Sequence, residues 1–253
     1  MSKQVLITGV NGGIGSELAK QYLDLGRKVI GLDIGEDSHI KGESEEFYYF
    51  KIDLTKPMQV AKVQKAITEQ FQVDVVIHNA GISQIDFFDQ QSDEDFAQIL
   101  HINLTSLVNS TRFWLKHFNQ TEQRGTIVNI SSVAGSVPTT KLVHYSTTKF
   151  AVTGFTQSLQ LEKKECGWDT NILLVSPGFV KTPLMKIGEP GGFPKSLEYL
   201  VSEPKDCAEA IIKGIEKNEL HIVPNAGAQA LLGLRRVSPK ITNFLQKWAL
   251  KQK

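Results

Sequence analysis

The stretch QVLITGVNGGIGSELAKQYLDLG, residues 4–26, joins an apolar run to a glycine-rich turn and then to an amphipathic segment. The apolar run predicts a buried strand, and the segment after the turn predicts a helix. Gly9, Gly13 and Gly15 would let the backbone approach a pyrophosphate, which the free N–H groups at the helix N-terminus would bind. A tight structural turn could carry the same glycines, but the order strand, turn, helix favours a dinucleotide site.

The same alternation of strand-like and helix-like segments continues along the chain. Nearly continuous apolar runs are typical of strands that are covered on both faces. The chain is therefore expected to be an α/β protein, with a doubly wound, Rossmann-type parallel sheet of about seven strands and helices on both faces. Thr55 and Pro57 predict the N-cap and first turn of one helix. The longest helices are predicted at about 92–118 and 146–165, and the further strands at KVIGLD, FYYFKIDL, VDVVIHNAG, GTIVNISS, NILLVSPG and LHIVP.

The composition is that of an ordinary soluble domain. The 253 residues are 41% hydrophobic and 22% charged, and the formal net charge of +1 argues against binding nucleic acid by bulk charge. Only two cysteines, Cys166 and Cys207, are present, which fits a reducing compartment. With no signal-type leader or membrane-spanning apolar run in the sequence, a cytoplasmic protein is expected. No metal site is expected. Residues 1–230 are predicted to form one dinucleotide-binding catalytic domain.

The second strand ends at Asp33, and this position bears on the choice of cofactor. A carboxylate there would accept hydrogen bonds from both adenosine ribose hydroxyls and repel a 2′-phosphate, so the cofactor is predicted to be NAD rather than NADP. Asp53 could bond the adenine amino group, and Thr182 could donate to the nicotinamide carboxamide. Small residues let the chain pass close to the adenosine at Asn79, Ala80 and Gly81. The predicted cofactor set is completed by Asn11, Ile14, Leu54, Pro177, Gly178 and Val180.

The stretch VHYSTTKFAV, residues 143–152, places Tyr145 and Lys149 four positions apart. On a helix they would share a face, and the ammonium group would lower the pKa of the phenol and make it a usable general acid or base. An ordinary surface helix could carry the same pair. Ser132 ends the fifth strand, at the edge where open α/β sheets bind ligands. Asn103 interrupts a predicted helix interior, which invites a functional or capping explanation.

In order and spacing, TGVNGGIG, HNAG, Asn103, Ser132, YSTTK and PGFVKT resemble the short-chain dehydrogenase/reductase family over roughly residues 3–225. The resemblance implies that Tyr145 is the acid/base, that Lys149 holds the nicotinamide ribose and that Ser132 binds the substrate oxygen. Asn103 would hold a water molecule in a proton relay. Pairing through the two long helices would give a homodimer or homotetramer.

The expected activity is therefore NAD(H)-dependent interconversion of a secondary alcohol and a ketone, on an apolar substrate that is steroid-, lipid- or retinoid-like. Residues 184–202 would form the variable substrate loop. Two alternatives remain: a catalytically silent NAD-binding regulatory protein on the same fold, and a membrane-surface scaffold. Large apolar side chains could line the pocket or pack the loop on the body: Met185, Ile187, Phe193, Tyr199, Leu200, Phe87 and Phe88.

Two features depart from the family pattern. His78 stands in HNAG where the family often has asparagine, and little effect is expected because the following NAG is intact. Residues 231–253 form a basic tail, predicted to be an amphipathic helix, with six Lys and Arg and no acidic residue. Docking of this tail on the protein is favoured over peripheral membrane contact. Its apolar stripe comprises Ile241, Phe244, Leu245 and Trp248.

Overall fold

A computed structural model describes residues 4–40, 42, 44–186 and 201–238, without the side chains of 185 and 186. Seven strands form one sheet in the order β3-β2-β1-β4-β5-β6-β7, and every pair of neighbours is parallel. The predicted doubly wound sheet is confirmed. The strands are β1 (Gln4–Thr8), β2 (Lys28–Asp33), β3 (Phe47–Lys51), β4 (Val73–His78), β5 (Thr126–Ile130), β6 (Asn171–Val175) and β7 (His221–Ile222).

Helices cover both faces of the sheet. Side chains alternate between the faces along each strand, so β4 sends Val75 and Ile77 to one apolar cluster and Val76 to the other. The first cluster includes side chains of α1 and α7, and the second includes those of α2 and α4. The helices are α1 (Gly13–Asp24), α2 (Pro57–Gln70), α3 (Asp93–Leu100), α4 (Ser106–Gln120), α5 (Val143–Cys166), α6 (Pro183–Lys186), α7 (Pro204–Glu216) and α8 (Ala226–Val237).

The helix predicted at 92–118 is interrupted. A π-helical turn, His101–Thr105, joins α3 directly to α4, so no loop separates the two helices. Such a turn inserts an extra residue into the helical ladder and is frequent at functional sites. Here it contains Asn103, which is fully buried.

The predicted N-cap of α2 was wrong. Lys56 occupies the cap position and Pro57 opens the helix, as its fixed φ allows. Thr55 lies one residue before the cap, and its hydroxyl donates to the carboxylate of Asp53 at 2.7 Å.

The C-terminal part of the described chain is helical. α8 runs without a break through residues 230 and 231, and Leu232 is buried against Val133 and Val137. None of the helices in the described ranges is long and apolar enough to cross a membrane. The stripe from Ile241 to Trp248 lies outside the described residues.

Candidate active site

The strand order reverses between β1 and β4, where open α/β sheets bind ligands. The hydroxyl of Thr8 accepts hydrogen bonds from the backbone N–H groups of Asn79 and Ala80, both at 3.0 Å. The Asn79 amide donates to the carbonyl oxygens of Thr8 and Gly9, at 3.1 and 3.0 Å. Asn79 therefore ties the end of β4 to the glycine-rich turn and fixes the shape of the crevice.

The glycine-rich turn passes so close to β4 that it leaves no room for a side chain. Gly9 has a φ of 67°, and a Cβ there would lie 2.8 Å from the Cα of Ala80. The N-cap of α1 is Gly12, which offers no side-chain oxygen to the first turn of the helix. The free N–H groups of Gly13, Ile14 and Gly15 are thus open to an external anion such as a phosphate.

The loop after β6 closes the other side of this turn. A Cβ on Gly13 would lie 2.7 Å from the methyl group of Thr182. Val180 is buried in the core, and a bridge to Ser202 fixes the adjacent backbone. The segment that was predicted to bind the nicotinamide therefore lies directly against the segment that was predicted to bind the pyrophosphate.

The carboxylate of Asp33 holds the backbone around it. It accepts hydrogen bonds from the N–H groups of Asn11 at 2.9 Å and Ile34 at 2.8 Å, with a longer one from Gly35 at 3.4 Å. Two carboxylate oxygens offer about four lone-pair sites, so at least one remains for a ligand hydroxyl. Asp33 thus both orders the turn and retains capacity to accept a hydrogen bond.

Two side-chain hydrogen bonds hold the loop that follows Asp33. The Tyr49 hydroxyl donates to the carbonyl oxygen of Gly35 at 2.6 Å, and the Asn11 amide donates to that of Asp37 at 3.1 Å. Glu36 pairs with Lys51. Three acidic residues, 33, 36 and 37, are therefore concentrated where the adenosine ribose is expected.

A small cavity lies beside the carboxyl ends of β2 and β4. Its apolar walls include Leu32, Leu54, Ala80 and Ile102. Asp53 lies between Ile52 and Leu54, which both line the cavity, and one of its carboxylate oxygens accepts hydrogen bonds from Thr55. The Thr55 hydroxyl, more than any other group, lowers the pKa of Asp53, so the carboxylate is ionised at neutral pH.

The predicted catalytic residues meet at the carboxyl end of β5. Ser132 and Tyr145 are 9% and 8% exposed, and the Ser132 hydroxyl is close enough to the phenol to favour a lower Tyr145 pKa. The Ser132 oxygen also accepts a hydrogen bond from the N–H of Ala134 at 3.1 Å. Two hydroxyl groups are thus held side by side at the edge of the crevice, as binding of a single substrate oxygen requires.

Lys149 lies beneath the Tyr145 ring. Its ammonium nitrogen is 5.6 Å from the ring centroid and donates to the carbonyl oxygen of Ile130 at 2.9 Å. Burial lowers the pKa of Lys149 to about 8. An ammonium group has three protons, so two are left for a ligand, such as the hydroxyls of a ribose.

The expectation of a lowered Tyr145 pKa is wrong for this chain by itself. Burial raises the pKa of the phenol, and the hydrogen bond from Ser132 opposes that effect without overcoming it. The ammonium group of Lys149 donates to the carbonyl oxygen of Ile130, and its charge does not reverse the rise in the Tyr145 pKa. Tyr145 is therefore protonated at neutral pH.

Asn103 is held from two sides. Its amide oxygen accepts from the N–H of Ile82 at 2.9 Å, and its amide nitrogen donates to the carbonyl oxygen of Ile82 at 2.9 Å and to the Thr148 hydroxyl at 3.2 Å. A Cβ on Gly81 would lie 3.4 Å from the Asn103 oxygen and 3.5 Å from the Lys149 nitrogen. Asn103 and Lys149 therefore meet around Gly81, and we name Asn103, Ser132, Tyr145 and Lys149 the catalytic cluster.

Two residues that sequence reasoning missed support this cluster. Thr148 donates to the carbonyl oxygen of Tyr145 at 2.8 Å while it accepts from Asn103. Ser131 donates to the carbonyl oxygen of Lys149 at 2.9 Å and fixes α5 against β5. Both are common hydroxyl residues beside conspicuous ones, and no sequence spacing distinguishes them.

His78 is the centre of a second buried group, which we name the histidine network: Gln64, His78, Ser110, Asn129 and Thr156. The imidazole is 2.9 Å from the Asn129 oxygen through Nδ1 and 2.9 Å from the Ser110 hydroxyl through Nε2. The Gln64 amide donates to Ser110, and the Asn129 amide donates to Thr156. Burial lowers the pKa of His78 to about 4.

Some predicted substrate residues cannot be placed. Ile187, Phe193, Tyr199, Leu200 and the side chain of Met185 lie outside the described residues. Phe87 and Phe88 are described and are 54% and 64% exposed. The Phe88 ring centroid is 5.7 Å from that of His144, the residue before Tyr145, so an apolar surface borders the catalytic cluster.

These residues fit a dinucleotide. The uncapped α1, the open lone pairs of Asp33 and the two free protons of Lys149 lie along one crevice at the carboxyl edge of the sheet. The fold and the site thus define a nucleotide-binding α/β protein of the Rossmann type, with a serine–tyrosine–lysine cluster at the end of the crevice. The family model for short chain dehydrogenases matches residues 3–189, and the chain belongs to this family of oxidoreductases.

Individual relatives agree with this membership. A 3-oxoacyl-(acyl-carrier-protein) reductase, FabG, of Vibrio cholerae is 32% identical over 192 residues, which cover 73% of this chain and 76% of that protein. A short chain dehydrogenase/reductase of Burkholderia phymatum in complex with NAD has a TM-score of 0.83 at 21% identity, covering 95% of each chain. A short-chain dehydrogenase of Sphingobium yanoikuyae in complex with NADPH has a TM-score of 0.77 at 27% identity, covering 92% of this chain and 94% of that one.

Proposed function

We propose that the protein is an NAD(H)-dependent oxidoreductase that interconverts a secondary alcohol and a ketone. The observation that carries the proposal is the catalytic cluster, in which the buried hydroxyls of Ser132 and Tyr145 lie together beside Lys149. The nicotinamide, when bound, supplies the hydride acceptor or donor. The chain supplies orientation, charge stabilisation and the proton.

Each catalytic side chain has a separate task. Ser132 and Tyr145 bind the substrate oxygen, and Tyr145 gives that oxygen a proton when a ketone is reduced and takes one when an alcohol is oxidised. Because burial keeps Tyr145 protonated, the chain by itself is prepared for the reductive direction. The reductase activity named for the Vibrio cholerae relative agrees with this direction.

Lys149 and Asn103 are proposed to relay the Tyr145 proton between the site and solvent. The ammonium group of Lys149 holds the ribose hydroxyls, and its nitrogen and the Asn103 oxygen both border the space next to the Gly81 Cα. Asn103 is fixed by Ile82 and Thr148, so it cannot turn away when a proton passes. We assign Asn103 the role of holding a relay water.

The choice of NAD over NADP rests on the chain's own charges, since the solved structures of relatives hold either cofactor. Asp33, Glu36 and Asp37 lie in a loop that Tyr49 and Asn11 anchor. Lys51 pairs with Glu36. The carboxylate of Asp33 would repel a 2′-phosphate, while the ribose hydroxyls of NAD would find an acceptor in it.

The substrate is proposed to be apolar. Phe87 and Phe88 expose their rings beside His144, and Val143, two residues before Tyr145, is 41% exposed. Lys141 lies over the Phe87 ring at 4.5 Å, so a positive charge borders this surface. A steroid-, lipid- or retinoid-like ketone fits such a surface. The 3-oxoacyl substrate named for the Vibrio cholerae relative makes a fatty-acyl ketone the first compound to test.

We further propose that two copies of the chain pair through α4 and α5. Phe150 and Leu161 are 41% and 66% exposed on α5, and with Gly154 they follow the i, i+4, i+11 spacing of one helix face. Leu161→Glu is expected to shift the protein to a smaller species in sedimentation analysis. Leu25→Glu, which changes an exposed leucine after α1, should not; equal behaviour of both variants would contradict pairing through α5.

The direct test is a panel of ketones and secondary alcohols, run with NADH or NAD and followed by nicotinamide absorbance. Turnover with NAD(H) that exceeds turnover with NADP(H) is expected for an apolar member of the panel. Binding of NADH without turnover of any compound would favour the silent regulatory protein instead. A higher kcat/KM with NADPH would show that the cofactor assignment is wrong.

A further inference from the structure

The N-terminus of α8 contacts the loop that is proposed to bind the nicotinamide. The N–H of Gly178 donates to the side-chain oxygen of Asn225 at 2.8 Å. One residue earlier, the carbonyl oxygen of Pro177 accepts from the N–H of Val133 at 2.8 Å. The loop is therefore fixed from two sides, by the N-cap residue of α8 and by the residue after Ser132.

Asn225 stands at the N-cap of α8 but does not cap it. Asparagine is among the preferred N-cap residues because its side chain usually accepts from the first turn of the helix. Here no such bond is made, and the side chain reaches Gly178 instead. Asn225 is 2% exposed, so this hydrogen bond is shielded from water. A favourable helix cap is thus replaced by a bond to a loop that is distant in sequence.

Packing reinforces the same contact. A Cβ on Gly178 would lie 2.9 Å from the Cβ of Ala228, so α8 lies as close to the loop as the absence of a side chain permits. On its other side, Ala228 packs with Leu232 against Val133 and Val137, which follow Ser132. One helix therefore touches both the proposed cofactor loop and the segment that carries a catalytic hydroxyl.

We propose that Asn225 is a positioning residue, through which α8 sets the distance between the nicotinamide loop at Gly178 and the catalytic hydroxyl of Ser132. It touches neither substrate nor cofactor and acts through the backbone of residue 178. This role rests on the proposed function, because it concerns the geometry of a bound nicotinamide. It explains why a helix N-cap gives its side chain to a loop.

Asn225→Ala deletes the acceptor, and Asn225→Asp keeps an oxygen at the same place. The alanine variant is expected to bind NADH about tenfold more weakly by fluorescence titration and to lose about tenfold in kcat, while the aspartate variant recovers most of both. Gln229→Ala is the matched control on the same helix, because its side chain bonds the carbonyl oxygen of Val223 and does not reach the loop. It should behave as the wild type.

A second pair of variants tests the packing without removing Asn225. Gly178→Ala places a methyl group against Ala228 and should raise the KM for NADH. Adding Ala228→Gly removes the opposing methyl, leaves the next contact at 3.6 Å and should restore the KM. This pair keeps the test open if Asn225→Ala does not fold.

The outcomes separate the two proposals. Wild-type kinetics and NADH affinity in a folded Asn225→Ala variant would overturn the positioning role and leave the proposed function intact. Failure of Ala228→Gly to rescue Gly178→Ala would also overturn it, since the loop would then not be set by α8. A wild type that binds no nicotinamide cofactor would overturn the proposed function, and the positioning role with it.

Discussion

The histidine network and the catalytic cluster are both buried, both polar and both built on β5 and α5, yet they differ in one respect. In the histidine network, each ring nitrogen of His78 has a partner, and the chain of hydrogen bonds runs from Gln64 to Thr156, whose hydroxyl donates to the carbonyl oxygen of Val152. In the catalytic cluster, Lys149 uses one of three protons, and two hydroxyls face the crevice. Unused hydrogen-bonding capacity therefore distinguishes a site from a structural network better than buried polarity does.

If this distinction is right, the two groups respond to substitution in opposite ways. Tyr145→Phe removes the transferable proton and keeps the ring. We expect kcat to fall by at least about 10², the usual contribution of a general acid or base, with NADH affinity and melting temperature nearly unchanged. Tyr22→Phe is a matched control, because the Tyr22 hydroxyl is buried without a partner among the described residues and its loss should not reduce activity. Activity retained in Tyr145→Phe would remove Tyr145 from its role.

The histidine network should appear in the pH dependence of stability. The pKa of His78 in the folded chain, about 4, lies below the 6.5 of an exposed histidine, so the unfolded chain binds a proton that the folded chain excludes. Its stabilising contribution is complete above about pH 6.5 and is lost as the pH falls toward 4, by up to about 3 kcal/mol.

Denaturant unfolding at several pH values measures this loss. His78→Asn should reduce the slope between pH 6.5 and 4. The remaining slope includes His117 and His221, whose pKa values burial also lowers, and near pH 4 carboxylates such as Asp53, whose pKa is also lowered in the folded chain. Identical slopes for the wild type and His78→Asn would show that the network is open to water and would break the comparison.

Ser110→Ala tests the closed network at neutral pH. It leaves both His78 and Gln64 without their shared partner, and an unsatisfied buried polar group costs about 1–3 kcal/mol. The free energy of unfolding should fall by that amount, with kcat unchanged at temperatures well below the melting transition. Asn109→Ala, at the preceding exposed position of α4, should change neither quantity. A fall in kcat without a fall in stability would place Ser110 in the site.

Asp33 is intermediate between the histidine network and the catalytic cluster. Backbone N–H groups already bind its carboxylate, but lone pairs remain for a ligand. Asp33→Asn keeps an oxygen acceptor but removes the charge. Two exposed charges about 4 Å apart in water interact by roughly 1 kcal/mol, so the NAD to NADP ratio of kcat/KM should fall by about five- to tenfold. Glu36→Gln should change the ratio less, because Glu36 is already paired with Lys51. An unchanged ratio in both variants would mean that charge does not select the cofactor.

The periodic features of the fold could be predicted from sequence because they are local. The spacing of apolar residues and the glycines predict the strand, turn and helix of residues 4–26, and apolar runs likewise predict the other strands. Tyr145 and Lys149 share a face because of helix geometry alone. The limits of this local reasoning appear at Thr55 and Tyr145. The Thr55 hydroxyl bonds Asp53 one residue before the helix cap. The pKa of Tyr145 is raised by burial, although Lys149 lies four residues away.

Only the tertiary structure decided the contacts between residues that lie far apart along the chain. Thr148 meets Asn103 across 45 positions, Asn225 meets Gly178 across 47, and His78 meets Asn129 across 51. Serine, threonine, asparagine and histidine have several partners open to them in any sequence, so their residue types do not specify which bond forms. The sequence by itself therefore determined the sheet, its nucleotide-binding edge and the catalytic residue types. The folded chain decided which polar side chains are closed by partners and which remain open to a substrate, because burial and partner distance exist only once the elements have packed.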